Sequence, residues 1–380
     1  DASDIVGFTN AHIQCAVDRV AMLGGGVVEL SEGVFHMADS LHLRSLVAVR
    51  GQGEATILHK NAMKKANVAT FLGYGHDDIV VDDPDAFELG DGIIIGDDRA
   101  GGFYLTVGTL IRREGDTWYT THPHVHDYLR RDNGVVRSLF PIVSAVDIAD
   151  ALVEDFVIEG NSAENETING CRGGGFFAHR SKGIVARRLT VHDLNGDGFS
   201  FQTCDDLELD GCVALDCTGH GFHPGSGSNR FHIHDCKARK CGNCGLYYCL
   251  RVRDSLLENS TFERNGLHGV SIGARDTGHT NRSLVIRKNG GAGVYLRPGG
   301  ADLAAHDNCI EDCLIEANCA DEGEAEIVLQ GETRGICLIR NTILRREGKP
   351  GILIKPEMLP FEASDNTIEP GGEGTIVDQR

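Results

Sequence analysis

Residues able to do acid–base chemistry recur at fixed spacing through the middle of this chain. Glycines stand at positions 175, 198, 221, 245, 269 and 293, and the second residue after each reads Phe177, Ser200, His223, Tyr247, Ser271, Tyr295. The fourth residue reads His179, Gln202, Gly225, Cys249, Gly273, Arg297, and two later runs add Gln330 and Lys355. Sixth after the glycine come Arg251 and Arg275. Histidine, tyrosine and arginine together can remove a proton next to a carboxylate. A guanidinium neutralises the carboxylate by paired hydrogen bonds, so charge building on the adjacent carbon is tolerated. A base then takes the proton and an acid protonates the leaving oxygen. Here Tyr247 or His223 is the base, Arg275 or Arg297 the cation, and Tyr295 or His223 the acid. The expected catalytic set is His223, Tyr247, Arg275, Tyr295 and Arg297. Substrate contacts are expected from His179, Gln202, Arg251, Gln330 and Lys355. Tyrosine needs a lowered pKa for base work, and a neighbouring arginine supplies one.

Hydrolysis is the alternative chemistry, and it needs two carboxylates about 5 Å apart for retention or about 6.5–9.5 Å for inversion. The glycine-led columns from Gly175 to Gly293 carry no Asp or Glu at the positions read. Asp197 with Asp205-Asp206 is the best remaining carboxylate set.

The elements that position these residues follow from the spacing. Intervals between the glycines are 23, 23, 24, 24 and 24 residues. After most of them comes a short strand-like run such as Phe199-Ser200-Phe201 or Val270-Ser271-Ile272, then a second run and often a third. Such short strands bury nothing alone but close a core when stacked as coils. The expected fold is all-β: a right-handed parallel β-helix with three strands per coil of about 24 residues. Alternation points the first and third residues after glycine inward and the second and fourth outward. Neighbouring members of a column then stand ~4.8 Å apart.

One domain is expected over 1–380. Residues 1–60 form the cap and first coils: apolar Ile13, Ala16, Val17 and Val20 give a helix over 9–23 with Thr9 or Asn10 as N-cap, and Gly24-Gly25-Gly26 stops it. A turn is expected at Gly51-Gln52-Gly53. Residues 62–145 break the period and read as a β-rich insertion, and 146–380 carry the main coils. Within the insertion, His122-Pro123-His124-Val125-His126-Asp127 belongs to a loop overhanging the groove, with His124 and His126 touching substrate. If extended, that segment also offers three imidazoles to a Zn²⁺ ion. Asp97-Asp98 or Asp205-Asp206 serve Ca²⁺ only if further oxygens converge on them. No metal site and no cofactor is expected.

With 36 Lys+Arg against 56 Asp+Glu the chain has a net charge of −20, which disfavours nucleic acid. No apolar run suggests a membrane span. Residues 230–300 nevertheless hold 12 Lys+Arg and 5 Asp+Glu, a basic stripe suited to an anionic ligand. Among 13 cysteines, Cys212/Cys236, Cys217/Cys241 and Cys313/Cys337 are each one coil apart and read as stacked buried thiols.

The cap with its glycine triplet and the coils from about 145 to 370 resemble the pectate-lyase-like β-helix superfamily. Glu159-Gly160-Asn161 and His220-Gly221-Phe222-His223-Pro224 are similar to the catalytic module of bacterial mannuronan C5-epimerases. That module carries Tyr-Gly-Phe-Asp-Pro-His-Glu, so its Asp falls on His223 and its His on Gly225. The resemblance implies carbohydrate chemistry by elimination, epimerisation or hydrolysis, and the departures carry over no single activity. The expected function is β-elimination on a uronate-containing polysaccharide by a secreted or periplasmic enzyme. A glycan-binding module and a trimeric phage-type adhesin are the readings from another class.

Overall fold

The computed structural model describes residues 4–321 and 323–380. The helix forms over Asn10–Met22 and buries Ile13 and Val17 against the first coil. It stops at Gly24-Gly25-Gly26, all at positive φ. A side chain at Gly25 would place its Cβ 2.5 Å from the Leu46 carbonyl oxygen, so that position admits only glycine.

Beyond the cap the chain winds as a parallel β-helix. Eleven parallel strands stack into one sheet, from Leu41–His42 through Val143–Val146, Phe176–His179, Phe199–Gln202, Phe222–Pro224, Leu246–Tyr247, Val270–Ile272 and Val294–Leu296 to Ile376–Asp378. Each middle coil adds two more strands, such as Glu208–Asp210 and Val213–Leu215, which stack in parallel on those of the next coil. One core runs through the coils, filled by Phe176, Phe199, Phe222, Leu246, Val270 and Val294 with their facing partners. The turn expected at 51–53 is instead a bulge within one strand, Val47–Lys60, whose register against Leu152–Glu159 shifts there. The coils are broken near residue 300 and again between Leu314–Glu316 and Ile327–Leu329, and the second loop resets the ladder: Cys337 stacks on Cys309 and not on Cys313. Cys313 donates instead from its backbone to Asn341 Oδ1 at 3.0 Å. All thirteen cysteines are free thiols.

A buried polar ladder lines one corner. Asn265 N donates to Asn289 Oδ1 (2.9 Å) and Asn289 N to Asn318 Oδ1 (3.1 Å), each amide serving the coil before it. These positions are fully enclosed and hydrogen-bonded, so they cost little and hold the coils in register.

The insertion leaves the helix after Lys60 and returns at Val143. It contains a six-stranded sheet, in which Gly92–Gly96 pairs with Thr106–Glu114 and with Val135–Arg137, over its own core of Ile93, Ile95, Leu110, Trp118 and Tyr128. In the next coil the loop 160–175 occupies the same corner, and in the following coils Asp197, His220 and His268 do.

Candidate active site

Strand register sets the outward column. Phe177 pairs with Ser200, Ser200 with His223, Tyr247 with Ser271, and Ser271 with Tyr295. A second column, from the residue just before each glycine, stands beside it at the corner: Asp197, His220, Cys244, His268, Ala292. The two columns meet. His220 stacks on Tyr247 (centroids 4.4 Å, 18°) and His268 on Tyr295 (4.0 Å, 4°), two coils or about 9.5 Å apart by strand spacing. His220 Nδ1 accepts from the Cys244 amide (3.2 Å) and His268 Nδ1 from the Ala292 amide (3.0 Å). Burial pushes both imidazoles down to about 4, so near neutral pH each is uncharged and carries its proton on Nε2.

His223 is different. Its Nδ1 lies 2.6 Å from Asp197 Oδ2, and the two residues are 6% and 5% exposed. Burial disfavours the imidazolium, but the charge and hydrogen bond of Asp197, with Cys249 alongside, push His223 up to about 10. Burial disfavours the Asp197 carboxylate too. The facing imidazolium and the amide of His220, which donates to Asp197 Oδ1 (2.7 Å), hold its pKa below the usual range. His223 Nε2 is buried with no partner. The pair lines a cleft of about 480 Å³ with His220, Thr218, Asn243 and the 167–171 loop. Gly170 crosses directly above it, where a Cβ would sit 1.9 Å from Asp197 Oδ2.

Arg297 lies over the Tyr247 ring, with Cζ 4.3 Å from the centroid. Its guanidinium is already committed: to Asp276 Oδ2 (3.1 Å), Ser271 Oγ (3.0 Å) and the carbonyls of Tyr248 (2.7 Å) and Cys249 (2.9 Å). It braces the site instead of waiting for a carboxylate. Tyr247 is raised, because burial outweighs the nearby guanidinium, so the expected lowering does not occur and the ring rests as a phenol.

The remaining expected residues lie elsewhere. Arg251 and Arg275 are exposed turn residues at φ +56° and +67°, beyond the strand ends, and not strand-borne. Gln202 is fully buried, donating to Gly170 O (3.3 Å) and accepting from the Ser226 amide (2.8 Å), so it holds the covering loop and cannot reach substrate directly. Gln330 is 9% exposed, and Lys355 is paired with Glu324. His179 and His124 line a separate cavity under the insertion, while His126 packs between Tyr104 and Tyr128. The basic stripe dissolves likewise. Arg230 pairs with Asp206 (2.8 Å), Lys237 with Glu263 (2.9 Å) and Arg282 with Glu258 (2.6 Å), each within reach of a neighbouring coil's acid. Asp205 and Asp206 follow the strand Phe199–Gln202 and Asp197 precedes it, so those carboxylates sit at opposite ends of a strand and are no pair.

Among the described residues one group, Glu208, Asp210 and His234, has metal-like ligand spacing. Arg187 already bonds Asp210 there (2.8 Å) and supplies the positive charge. Asp97 and Asp98 are likewise engaged, by Arg99 (2.7 Å) and Asn133 (2.6 Å).

Residues 149–251 and 226–379 match the family described as the right handed beta helix region. The chain belongs to that family. This β-helix protein finds no match among curated proteins by sequence. In structure it is similar to the A-module of the mannuronan C-5 epimerase AlgE6 of Azotobacter vinelandii, at 14% identity and TM-score 0.55 over 98% of this chain and 95% of that one. It is also similar to a family 28 exopolygalacturonase of Yersinia enterocolitica (10%, TM-score 0.53, 97% and 74%) and to PfbA, a surface adhesin of Streptococcus pneumoniae (12%, TM-score 0.51, 94% and 86%). At these identities the likeness is one of fold, and an epimerase, a polygalacturonase and an adhesin share it. Among the described residues no helix is long and apolar enough to cross a membrane.

His220 and His268 are the residues that reading the glycine-led strands overlooks. Their signal is present in the sequence as His-Gly at positions 220–221 and 268–269, two coils apart with tyrosines also two coils apart at 247 and 295.

Proposed function

We propose that this protein is a carbohydrate-active enzyme that acts on a uronate-containing polysaccharide by β-elimination at the His223–Tyr247 centre. The observation that carries the reading is the buried imidazolium: His223 holds a positive charge against Asp197, keeps Nε2 unpartnered, lines the cleft, and packs edge-on against the half-buried Tyr247 ring. In that geometry His223 takes the neutralising role first given to an arginine, stabilising the substrate carboxylate as the α-proton leaves. Tyr247, 5.6 Å from His223 between ring centroids, first gives its phenolic proton to solvent; the phenolate takes the α-proton and returns it to the glycosidic oxygen as the C–O bond breaks and the C=C bond forms. The Nε2–H groups of His220 and His268 donate to sugar oxygens, and their stacks with Tyr247 and Tyr295 offer ring faces along the chain direction. The uronan names of two structural neighbours support the substrate class. Hydrolysis has less support, because Asp197 is the one carboxylate lining the cleft and it is occupied by His223.

Incubation with a panel of uronans, following unsaturated-uronate absorbance together with reducing ends, tests this. Both signals rise under elimination, and Tyr247→Phe and His223→Gln abolish them while oligosaccharide binding survives. Reducing ends without absorbance would refute elimination, and full activity in both variants would refute the site.

A further inference from the structure

A second enclosed space stands apart from the His223 cleft. A cavity of about 720 Å³ lies between the insertion and the outward face of the first three strands of the eleven-stranded sheet. The 167–172 loop divides the two: Cys171 lines the His223 cleft and Arg172 lines the cavity.

Two carboxylates and two guanidiniums line this cavity, and they are not all paired. Asp39 is satisfied by the Ser40 amide (2.7 Å), His42 Nε2 (3.1 Å) and Thr109 Oγ1 (2.6 Å). Asp147 is taken by Arg180 through both oxygens. Arg172 has no carboxylate within ion-pair reach among the described residues; it donates to the Phe103 carbonyl, and its Nε is buried without a partner. His124, another lining residue, is 1% exposed and its Nε2 is equally orphaned. Buried polar groups are normally paired, and a partly buried guanidinium without a counter-charge is costly to keep. A ligand with a carboxylate to accept from Arg172 and a hydroxyl to donate to His124 Nε2, which is left as an acceptor because Nδ1 donates to the Gly73 carbonyl (3.2 Å), answers both. Phe177 is a flat apolar wall beside them, 6.2 Å from the His179 ring, of the kind a sugar ring covers.

We propose that this cavity is a second binding site, for a carboxylate-bearing sugar, with Arg172 as the partner of the carboxylate and Phe177 and His179 as the surface under the ring. The choice of uronates as ligands rests on the elimination reading, but the site does not need that chemistry to occur.

Calorimetric titration of the intact protein with D-galacturonate, D-glucuronate and D-mannuronate tests it, with D-galactose as the neutral match. At least one uronate binds and galactose binds at least about tenfold more weakly, as loss of a charge-assisted hydrogen bond demands. Arg172→Gln lowers uronate affinity by roughly tenfold or more. Val146→Trp, which fills the cavity from an exposed position, does the same without touching Arg172. Equal affinity for a uronate trimer assigns the cavity to a chain end; binding of the monosaccharide alone assigns it to the free sugar acid. No heat with any uronate overturns the proposal. So does wild-type affinity in both variants, or binding lost in His220→Ala and kept in Arg172→Gln, which would place the ligand in the His223 cleft. Loss of turnover on uronans with cavity binding intact would refute the elimination reading alone.

Discussion

Replacing Asp197 by asparagine removes the counter-charge from an imidazolium that is 6% exposed. In the native protein His223 is pushed up to about 10 from an ordinary 6.5, because Asp197 overrides the effect of burial. At about 1.4 kcal/mol per pKa unit, that rise bounds the contribution at about 5 kcal/mol. Removing one member of a buried pair typically costs about 3–5 kcal/mol, and asparagine, which keeps the shape, belongs at the lower end. The sign fixes the pH window. A group whose pKa is raised on folding contributes its full stability below the unfolded value and loses it as pH rises through the folded one. The gap between wild type and Asp197→Asn is therefore widest near pH 6 and closes towards pH 10. In the variant, burial alone acts on His223, which becomes neutral at pH 7. Urea unfolding of both proteins at steps between pH 6 and pH 10, with proton NMR of the imidazole, measures this. A gap that stays constant over that range, or a wild-type His223 titrating near 6.5, would refute the buried ion pair and with it the cation assigned to the cleft.

Arg297→Gln leaves Asp276 buried without its guanidinium. Burial already pushes Asp276 up to about 7 against the opposing pull of Arg297, so this variant loses more stability at pH 8 than at pH 5 in thermal melts; equal losses count against the brace. Gly170→Ala drives a Cβ to within 1.9 Å of Asp197 Oδ2 and 2.6 Å of His223 Nδ1, so the loop lifts and turnover falls with little change in melting temperature. An active Gly170→Ala enzyme would show that the loop does not cover the reacting centre. Asn289→Ala orphans the Asn265 amide and the Phe262 carbonyl, at about 1–3 kcal/mol for each group, read as a lowered urea midpoint.

Glycine intervals of 23 and 24 residues are enough to deduce the coils, because three strands with tight turns have one length and stacking is their one way to bury an apolar face. Alternation likewise orders the outward column from Phe177 to Tyr295, since side chains in a strand have a period of two. The helix over Asn10–Met22 and its glycine stop follow from spacing in the same way. What lies between strands escapes such rules. Arg251 and Arg275 look continuous with a strand, yet both turn out of it in left-handed backbone. Cys337 aligns with Cys313 by counting, but an irregular loop between Leu314–Glu316 and Ile327–Leu329 shifts the register to Cys309. The site depends most on this lost information. Asp197 meets His223 because a corner of one coil overhangs a strand of the next, and Gly170 closes over both from a loop with no period at all. Sequence periodicity determines what repeats along the axis; the charge on His223, the commitment of Arg297 and the cavity around Arg172 arise from contacts between non-repeating segments, and only the folded chain brings those together.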